Sequence, residues 1–427
     1  MRMVGKGIEM AMGPIAIFRS LNRDQRYAFM GSFLGWTLDA FDFFIVTFVF
    51  ARIATEFKVP IPSVVFAVTI TLALRPLGAL IFGWLADRYG RRAPLMINIA
   101  FYSLMELLTA FSPNFTIFLL LRALYGIGMG GEWGVGAALA LETLPTQARG
   151  LASGILQQGY ATGFLLAAVV FWIFSSFAGA DAWRGLFVIG VLPALLVLYI
   201  RAFVKESPTW TAGKAKPIAQ RGALLAAFVK NPWIFISAIL LMTAFNYMSH
   251  GTQDLYPTFL EKQRGFSPAL RSQVTIVVQI GAIIGGSLFG YLSQQWGRKR
   301  TIVIAACGGV VAIPLWVFAP NVALLTLGGF IMQFFVQGAW GVIPAHLNEL
   351  SPGNIRGTFP GFTYQLGNLT SAPAAQIEAA FATRFVLPEG GANYAEALAI
   401  IVIIVFFAVI LFTLLGGERR GVEFSDA

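Results

Sequence analysis

Residues 83–92 read GWLADRYGRR, and residues 290–299 read GYLSQQWGRK. Gly, Leu, a Gly-Arg pair and a closing base recur at the same places, so moving from 83 to 290 is a shift of 207 positions. The same shift carries Trp133-Gly134 onto Trp340-Gly341. It also carries Glu142, Pro145, Arg149 and Gly150 onto Glu349, Pro352, Arg356 and Gly357. An ungapped offset held over so many positions is the mark of a duplication, and it decides how the rest of the chain is read.

The unit that is duplicated is hydrocarbon-like. Of 427 residues 57% are hydrophobic and only 12% charged, against roughly 25% charged in an ordinary soluble domain. Apolar runs of about 20 residues, enough to cross a bilayer core as helix, fall near 27–50, 61–85, 93–111, 114–140, 149–177, 183–203, 232–260, 272–295, 300–318, 321–346, 356–382 and 394–416. The runs are continuous and rich in Gly, Ala and Ser, which suits helix packing in lipid and not the alternating strands of a membrane barrel. An all-α membrane protein is expected, with twelve transmembrane helices in two six-helix parallel-repeat halves.

The basic, Pro-containing connection between the sixth and seventh runs sets the expected organisation. Residues 1–26 are an N-terminal segment, 27–203 the first half, 204–231 a linker, 232–416 the second half and 417–427 a tail. The first 26 residues carry no apolar core ending in a small-residue cleavage site, so a short amphipathic surface segment is expected there and not a signal peptide.

The net charge of +10 raises the question of nucleic acid, and its distribution answers it. Of the 30 Lys and Arg, 21 fall on the side of both termini, 7 on the other, and 2, Arg75 and Arg122, inside spans. That bias is the positive-inside signal of a multi-pass protein with both termini cytoplasmic. The partners implied are a lipid bilayer and no nucleic acid. The single cysteine, Cys307, excludes an internal disulfide and has no neighbours at metal-ligand spacing, so no metal site and no cofactor are expected.

Two parallel-repeat halves are the plan of a rocking secondary transporter, with its substrate site near the midplane between them. Ionisable groups stranded in spans then become informative, because each is costly in hydrocarbon and faces the bundle interior. Arg75 precedes Asp87 by twelve residues, about 18 Å of helix, which puts it near the midplane. Its planar donor fork suits a carboxylate, making it the candidate anchor for a small anionic substrate. Asp39 and Asp42 share one helical face and are candidates to hold Arg75 or to carry a proton, the expected coupling ion; Glu132 is a further candidate. Arg122 need not pair with Glu132. Glu106, His346 and Glu378 are lone groups for which a packed, hydrogen-bonded role is expected.

The seventh run contains NYMSHGTQDLYPT at 246–258. Positions 246, 249, 250, 253, 254 and 257 lie on one helical face, so Asn246, Ser249, His250, Gln253 and Asp254 form a stripe suited to lining a cavity. His250 and Asp254, four apart, can meet side by side as a proton-handling pair. Gly251 and Pro257 make a bend plausible. Tyr160 with Gln157 and Gln158 in the fifth run, and Tyr364, Gln365, Asn368 and Ser371 in the eleventh, supply further polar contacts for a substrate. On the terminus side, Gly83 and Gly90 permit a tight turn, while Asp87, Arg88, Arg91, Glu142, Arg149, Glu349 and Arg356 form a candidate gating network. It is expected to be asymmetric, since Gln294 and Gln295 replace Asp87 and Arg88 in the second half.

GWLADRYGRR, with LLLRALYGIG at 119–128, resembles the signature of the major facilitator superfamily. NYMSHGTQDLYPT, WTLDAFDFF in the first run and QLGN at 365–368 resemble the lactate and pyruvate permease branch of the sialate:proton symporter family. The resemblance implies proton-coupled uptake of a monocarboxylate at the bacterial inner membrane, with Arg75, His250, Asp254, Gln365 and Asn368 in functional roles. A sialic acid or other organic-acid symporter is the neighbouring alternative. A drug exporter would lack a carboxylate clamp, and a uniporter would need no titrating pair. An enzyme finds no nucleophile, phosphate loop or metal cluster here, for GIGMGGEWG lies inside a span.

Overall fold

Asn114 and Asn321, related by the repeat, each cap a helix in the same way: the side-chain oxygen accepts from the backbone N–H three residues on, Ile117 and Leu324, at 2.9 Å in both cases. Such a cap satisfies one of the donors left open at a helix start. Gly90 and Gly297, also a repeat pair, end their helices at φ 100° and 101°, a backbone state that an L side chain would strain. The duplication is therefore visible in the punctuation of the helices as well as in the letters.

The computed structural model describes residues 13–178, 183–213, 222–385, 387, 388 and 390–424. Among these there is no strand, and eleven helical paths are long and apolar enough to span a bilayer. They are Arg23–Phe48, Ser63–Tyr89, Arg92–Ala110, Phe115–Thr143, Thr146–Phe174, Trp183–Phe203, Pro232–Lys262, Ala269–Trp296, Arg298–Val317, Val322–Leu350 and Tyr394–Leu415. They are called the first to tenth and the twelfth spans below. The eleventh path, expected as one run over 356–382, is divided into Phe359–Ser371 and Ala374–Ala382. The division falls at Ala372-Pro373, where proline has no N–H to continue the helical ladder. Residues 1–12 of the N-terminal segment lie outside the described residues; Pro14–Ser20 forms a short helix that buries Ile17.

Within each half the second and fourth helices, counted from that half's start, cross closely. A Cβ on Gly78 would intrude on the Ile127 carbonyl, and one on Gly285, its repeat partner, on the Phe334 carbonyl. Small residues permit this approach, the usual device where lipid gives helices no hydrophobic reason to associate. Gly83 proves to have a packing role and not the turn role expected of it. It sits inside a helix, where a Cβ would lie 2.6 Å from Thr358 Cα of the other half.

The seam between halves is shut on the face that carries the termini. Gly134 meets Gly361 there, and Gly150 meets Gly290. Ser153 donates to the Gly341 carbonyl at 2.7 Å and accepts from Ala345 N at 2.9 Å.

Candidate functional site

A cavity of about 350 Å³ lies at the seam. The first half contributes Phe43, Phe44, Thr47, Arg75, Gln157 and Tyr160, and the second Asn246, Ser249, His250, Gln253, Asp254, Gln337, Trp340, Tyr364 and Asn368. Thr47 and Phe50, at the end of the first span, and Val65 and Val68, at the start of the second, also line it. Those residues lie far from the termini, so the cavity opens on the opposite face.

The seventh-span stripe forms as its spacing suggests. His250 Nδ1 is 3.0 Å from Asp254 Oδ2, both side chains are partly open to the cavity, and Asn368 lies beside the same imidazole. Ser249 Oγ accepts from Trp340 Nε1 at 2.7 Å. Gln253 donates to Gln333 at 3.1 Å, and Gln333 donates to Thr252 at 3.0 Å. The helix stops at Gln253 and restarts at Tyr256, with Pro257 at the start of the new segment. The bend thus sits at Asp254, not at Gly251. Gly251 has a packing role, since a Cβ there would lie 3.0 Å from Glu378 Oε1.

Arg75 comes to the same cavity from the first half. It is 2% exposed, its Nε and Nη2 have no hydrogen-bond partner, and its guanidinium stands 5.9 Å from the centre of the Tyr364 ring. Tyr160 lines the same cavity and is held by stacking on Trp36 at 5.6 Å and edge packing on Phe44 at 5.1 Å. A buried guanidinium with two unbonded donors is a charge left to be satisfied at the cavity wall, and its planar fork suits a carboxylate.

Other expected site residues lie elsewhere. Asp39, Asp42 and Glu132 are fully buried and do not line the cavity, and none of their carboxylate oxygens has a hydrogen-bond partner. Of the roles open to the two aspartates, an ion pair with Arg75 is not formed among the described residues, although Asp39 lies within electrostatic reach of Arg75 and Arg122. Gln365 is also fully buried, lies off the cavity, and has neither amide atom bonded. Glu106 is not a lone group: it pairs with Arg122 at 2.6 Å, and that guanidinium lies 4.2 Å over the Tyr125 ring. Glu378 is packed but not hydrogen-bonded, and His346 Nδ1 is likewise unbonded.

On the terminus face, Asp87 accepts from Gly357 N at 2.6 Å, Thr358 N at 3.0 Å and Thr358 Oγ1 at 2.6 Å, all in the other half. It pairs with Arg91 at 2.9 Å, and Arg91 grips Glu142 at 2.9 and 3.2 Å. Burial alone would lower the Arg91 pKa; Glu142 and Asp87 outweigh it and raise the group above its ordinary value. Arg356 approaches Glu142 to 3.9 Å. The connecting segment joins in, with Ser207 Oγ donating to Glu142 at 2.5 Å and Trp210 Nε1 to the Asp87 carbonyl at 3.0 Å.

The sequence alone did not single out Arg298, although the repeat relates it to Arg91. It holds Glu349 through two bonds of 2.9 Å and donates to Gln294 at 2.7 Å. Arg149 and Arg356 both turn to the tail, where Phe424 lies beneath their guanidiniums. Arg88, expected in the network, is outside it and lies 5.5 Å over the rings of Trp84 and Tyr89, where an interfacial cation keeps its head near water.

Comparison with known proteins agrees with this architecture. The profile described as Major Facilitator Superfamily matches residues 32–375 and, overlapping, 254–423. A carboxylic acid transporter protein homolog of Saccharomyces cerevisiae is 31% identical over 437 residues, covering 96% of this chain and 70% of the yeast protein. The sialic acid transporter NanX of Escherichia coli is 28% identical, covering 95% of this chain and 97% of its own. The cis,cis-muconate transport protein of Acinetobacter baylyi is 26% identical, covering 82% and 86%. A solved structure of the proton:xylose symporter XylE superposes with a TM-score of 0.73 at 19% identity, covering 93% of this chain and 97% of that one. At that identity the match speaks to the fold alone.

Proposed function

We propose, for a chain that belongs to the Major Facilitator Superfamily, that the seam cavity takes up a small monocarboxylate such as lactate or pyruvate together with a proton, by alternating access. The chain is a membrane transporter and not an enzyme, and the cycle calls for no cofactor. The observation that carries the reading is Arg75: a buried guanidinium at the cavity wall whose Nε and Nη2 are unbonded, facing a His-Asp pair across the seam. A hydrogen bond to a charged group contributes about 1.5–3 kcal/mol, so a carboxylate that pairs with this guanidinium gains what a neutral solute does not. The relatives named for carboxylic, sialic and muconic acids support an organic acid as cargo.

In this scheme Arg75 holds the carboxylate, and Tyr160, Asn246, His250, Gln253 and Asn368 meet the rest of the substrate. His250 with Asp254 takes the proton next to the substrate, while Asp39, Asp42 and Glu132 are carboxyls behind the wall that can exchange it. Asp87, Arg91, Glu142, Arg149, Glu349 and Arg356 close the terminus face. Residues 27–203 and 232–416 are the rocking bodies. In this scheme the membrane is a bacterial inner membrane, and the excess of Lys and Arg on the terminus side supports a cytoplasmic terminus face.

A second compartment of about 210 Å³ adjoins the cavity, sharing Phe44, Tyr160, Gln253 and Gln337 and extending to Phe164, Tyr256, Val278 and Gln333. Its aromatic walls and glutamines favour a second reading, a larger unsaturated carboxylate whose body enters this compartment while its charge stays at Arg75. Reconstituted protein under an inward proton gradient is expected to accumulate labelled lactate or pyruvate and to lose that accumulation when the gradient is collapsed. Flux indifferent to the gradient would sink symport. Uptake of unsaturated acids alone would favour the second reading.

A further inference from the structure

Phe424 belongs to the tail that follows the twelfth span, yet it is 3% exposed and packs in an apolar cluster with Leu21 of the N-terminal segment and Leu144, Ala148 and Leu151 of the first half. Two guanidiniums lie over it, Arg149 at 3.6 Å and Arg356 at 4.2 Å from the ring centre. Those arginines are repeat partners, one from each half, and both distances are within cation–π range. Each also donates to a tail carbonyl, Arg149 to Val422 at 2.6 Å and Arg356 to Phe424 at 3.4 Å.

The stretch leading to Phe424 is pinned along its length. Glu418 accepts from Arg298 N at 2.5 Å, Arg420 donates to the Gln295 carbonyl at 2.8 Å, and Glu423 accepts from Thr146 Oγ1 at 2.7 Å. The tail is thus tied to the second half at Arg298 and Gln295 and to the first at Thr146 and Arg149. Opening of this face requires the ring to leave either its first-half cluster or Arg356.

We propose that Phe424 is a positioning residue of the terminus-side gate: its ring draws Arg149 and Arg356 together across the seam, and release of the tail precedes opening on that face. Without the ring the two guanidiniums lose the π face they share, and only neighbouring carboxylates, Glu142 beside Arg356 and Glu349 and Glu423 near Arg149, offset their mutual repulsion. The inference rests on the alternating-access reading but not on the choice of substrate.

A thiol reporter at Ala79, which is 3% exposed and lies across the seam from Gly361, tests it. In full-length Cys307→Ser protein carrying Ala79→Cys, with no substrate added, Phe424→Ala is expected to raise the maleimide labelling rate roughly tenfold, the scale of one to two lost cation–π contacts. Phe424→Tyr, which keeps the ring, is expected to label at the parent rate. Phe424→Leu, which keeps apolar volume without a π face, should fall between and serves if the alanine variant does not fold. Parent-rate labelling in both the Ala and Leu variants overturns the proposal. So does a rise in all three variants in step with a lowered melting temperature. Neither result bears on proton coupling, which is read by gradient-driven uptake.

Discussion

Arg298 holds Glu349 through two hydrogen bonds of 2.9 Å, the same two-point grip that Arg91 has on Glu142, and the duplication relates both members of the two pairs. All four side chains are buried. A buried ion pair broken on one side leaves an uncompensated charge, which costs about 3–5 kcal/mol, whereas replacing both partners by apolar groups is far milder.

Glu349→Gln is therefore expected to lower thermal stability in detergent markedly more than the double change Arg298→Met with Glu349→Leu. A melting curve for each variant decides it; a double variant less stable than the single one would contradict the pairing argument.

Arg75→Lys keeps the charge but loses the planar fork. With one charge-assisted hydrogen bond lost, KM for the carboxylate is expected to rise roughly ten- to a hundredfold, with the protein still inserted and folded. An unchanged KM would remove Arg75 from the substrate's path.

Asp254→Asn and His250→Gln leave the seventh span's shape in place and remove its titrating pair. Accumulation against a gradient is expected to fail in both variants, while exchange of labelled for unlabelled substrate persists in at least one. Gradient-driven accumulation at the parent level in both would reject the pair as a coupling site.

Gly154 packs against Gly290, whose Cα would lie 3.1 Å from a Cβ at 154. Gly154→Val wedges that contact, and overpacking of this kind costs about 1–3 kcal/mol. The cost falls only on the state with the terminus face closed. Labelling of a Val65→Cys reporter in the open cavity, in the Cys307→Ser background, is expected to slow in this variant; unchanged labelling would show that the glycine contact does not set the balance.

Much of the fold was legible because a continuous apolar run of bilayer length satisfies its backbone in lipid as helix and because a duplication leaves a fixed offset. The seventh-span stripe was legible for a related reason, since polar groups at helical spacing in an apolar run have one face to share. The positions of Gln365, Asp39 and Glu132 were not. Helical spacing says which residues share a face, but whether that face meets a cavity or a neighbouring helix depends on the tilt and rotation of the whole span. Arg88 escaped for the opposite reason: in sequence it is one charge among several, and only the rings of Trp84 and Tyr89 reveal that it faces outward. The role of Phe424 carries no local signal, because nothing near it in sequence announces two arginines from distant spans.

Asp87 reaches across the seam to the backbone of Gly357 and Thr358, while Gln294, its repeat partner, gives its amide oxygen to Arg298 in its own half. The terminus face is thus closed unequally: the first repeat sends an acid across the seam, and the second keeps an amide within its own half. Installing the acid twice, by Gln294→Asp, offers a way to tighten that closure from outside the cavity, leaving every residue that faces the cargo as it is.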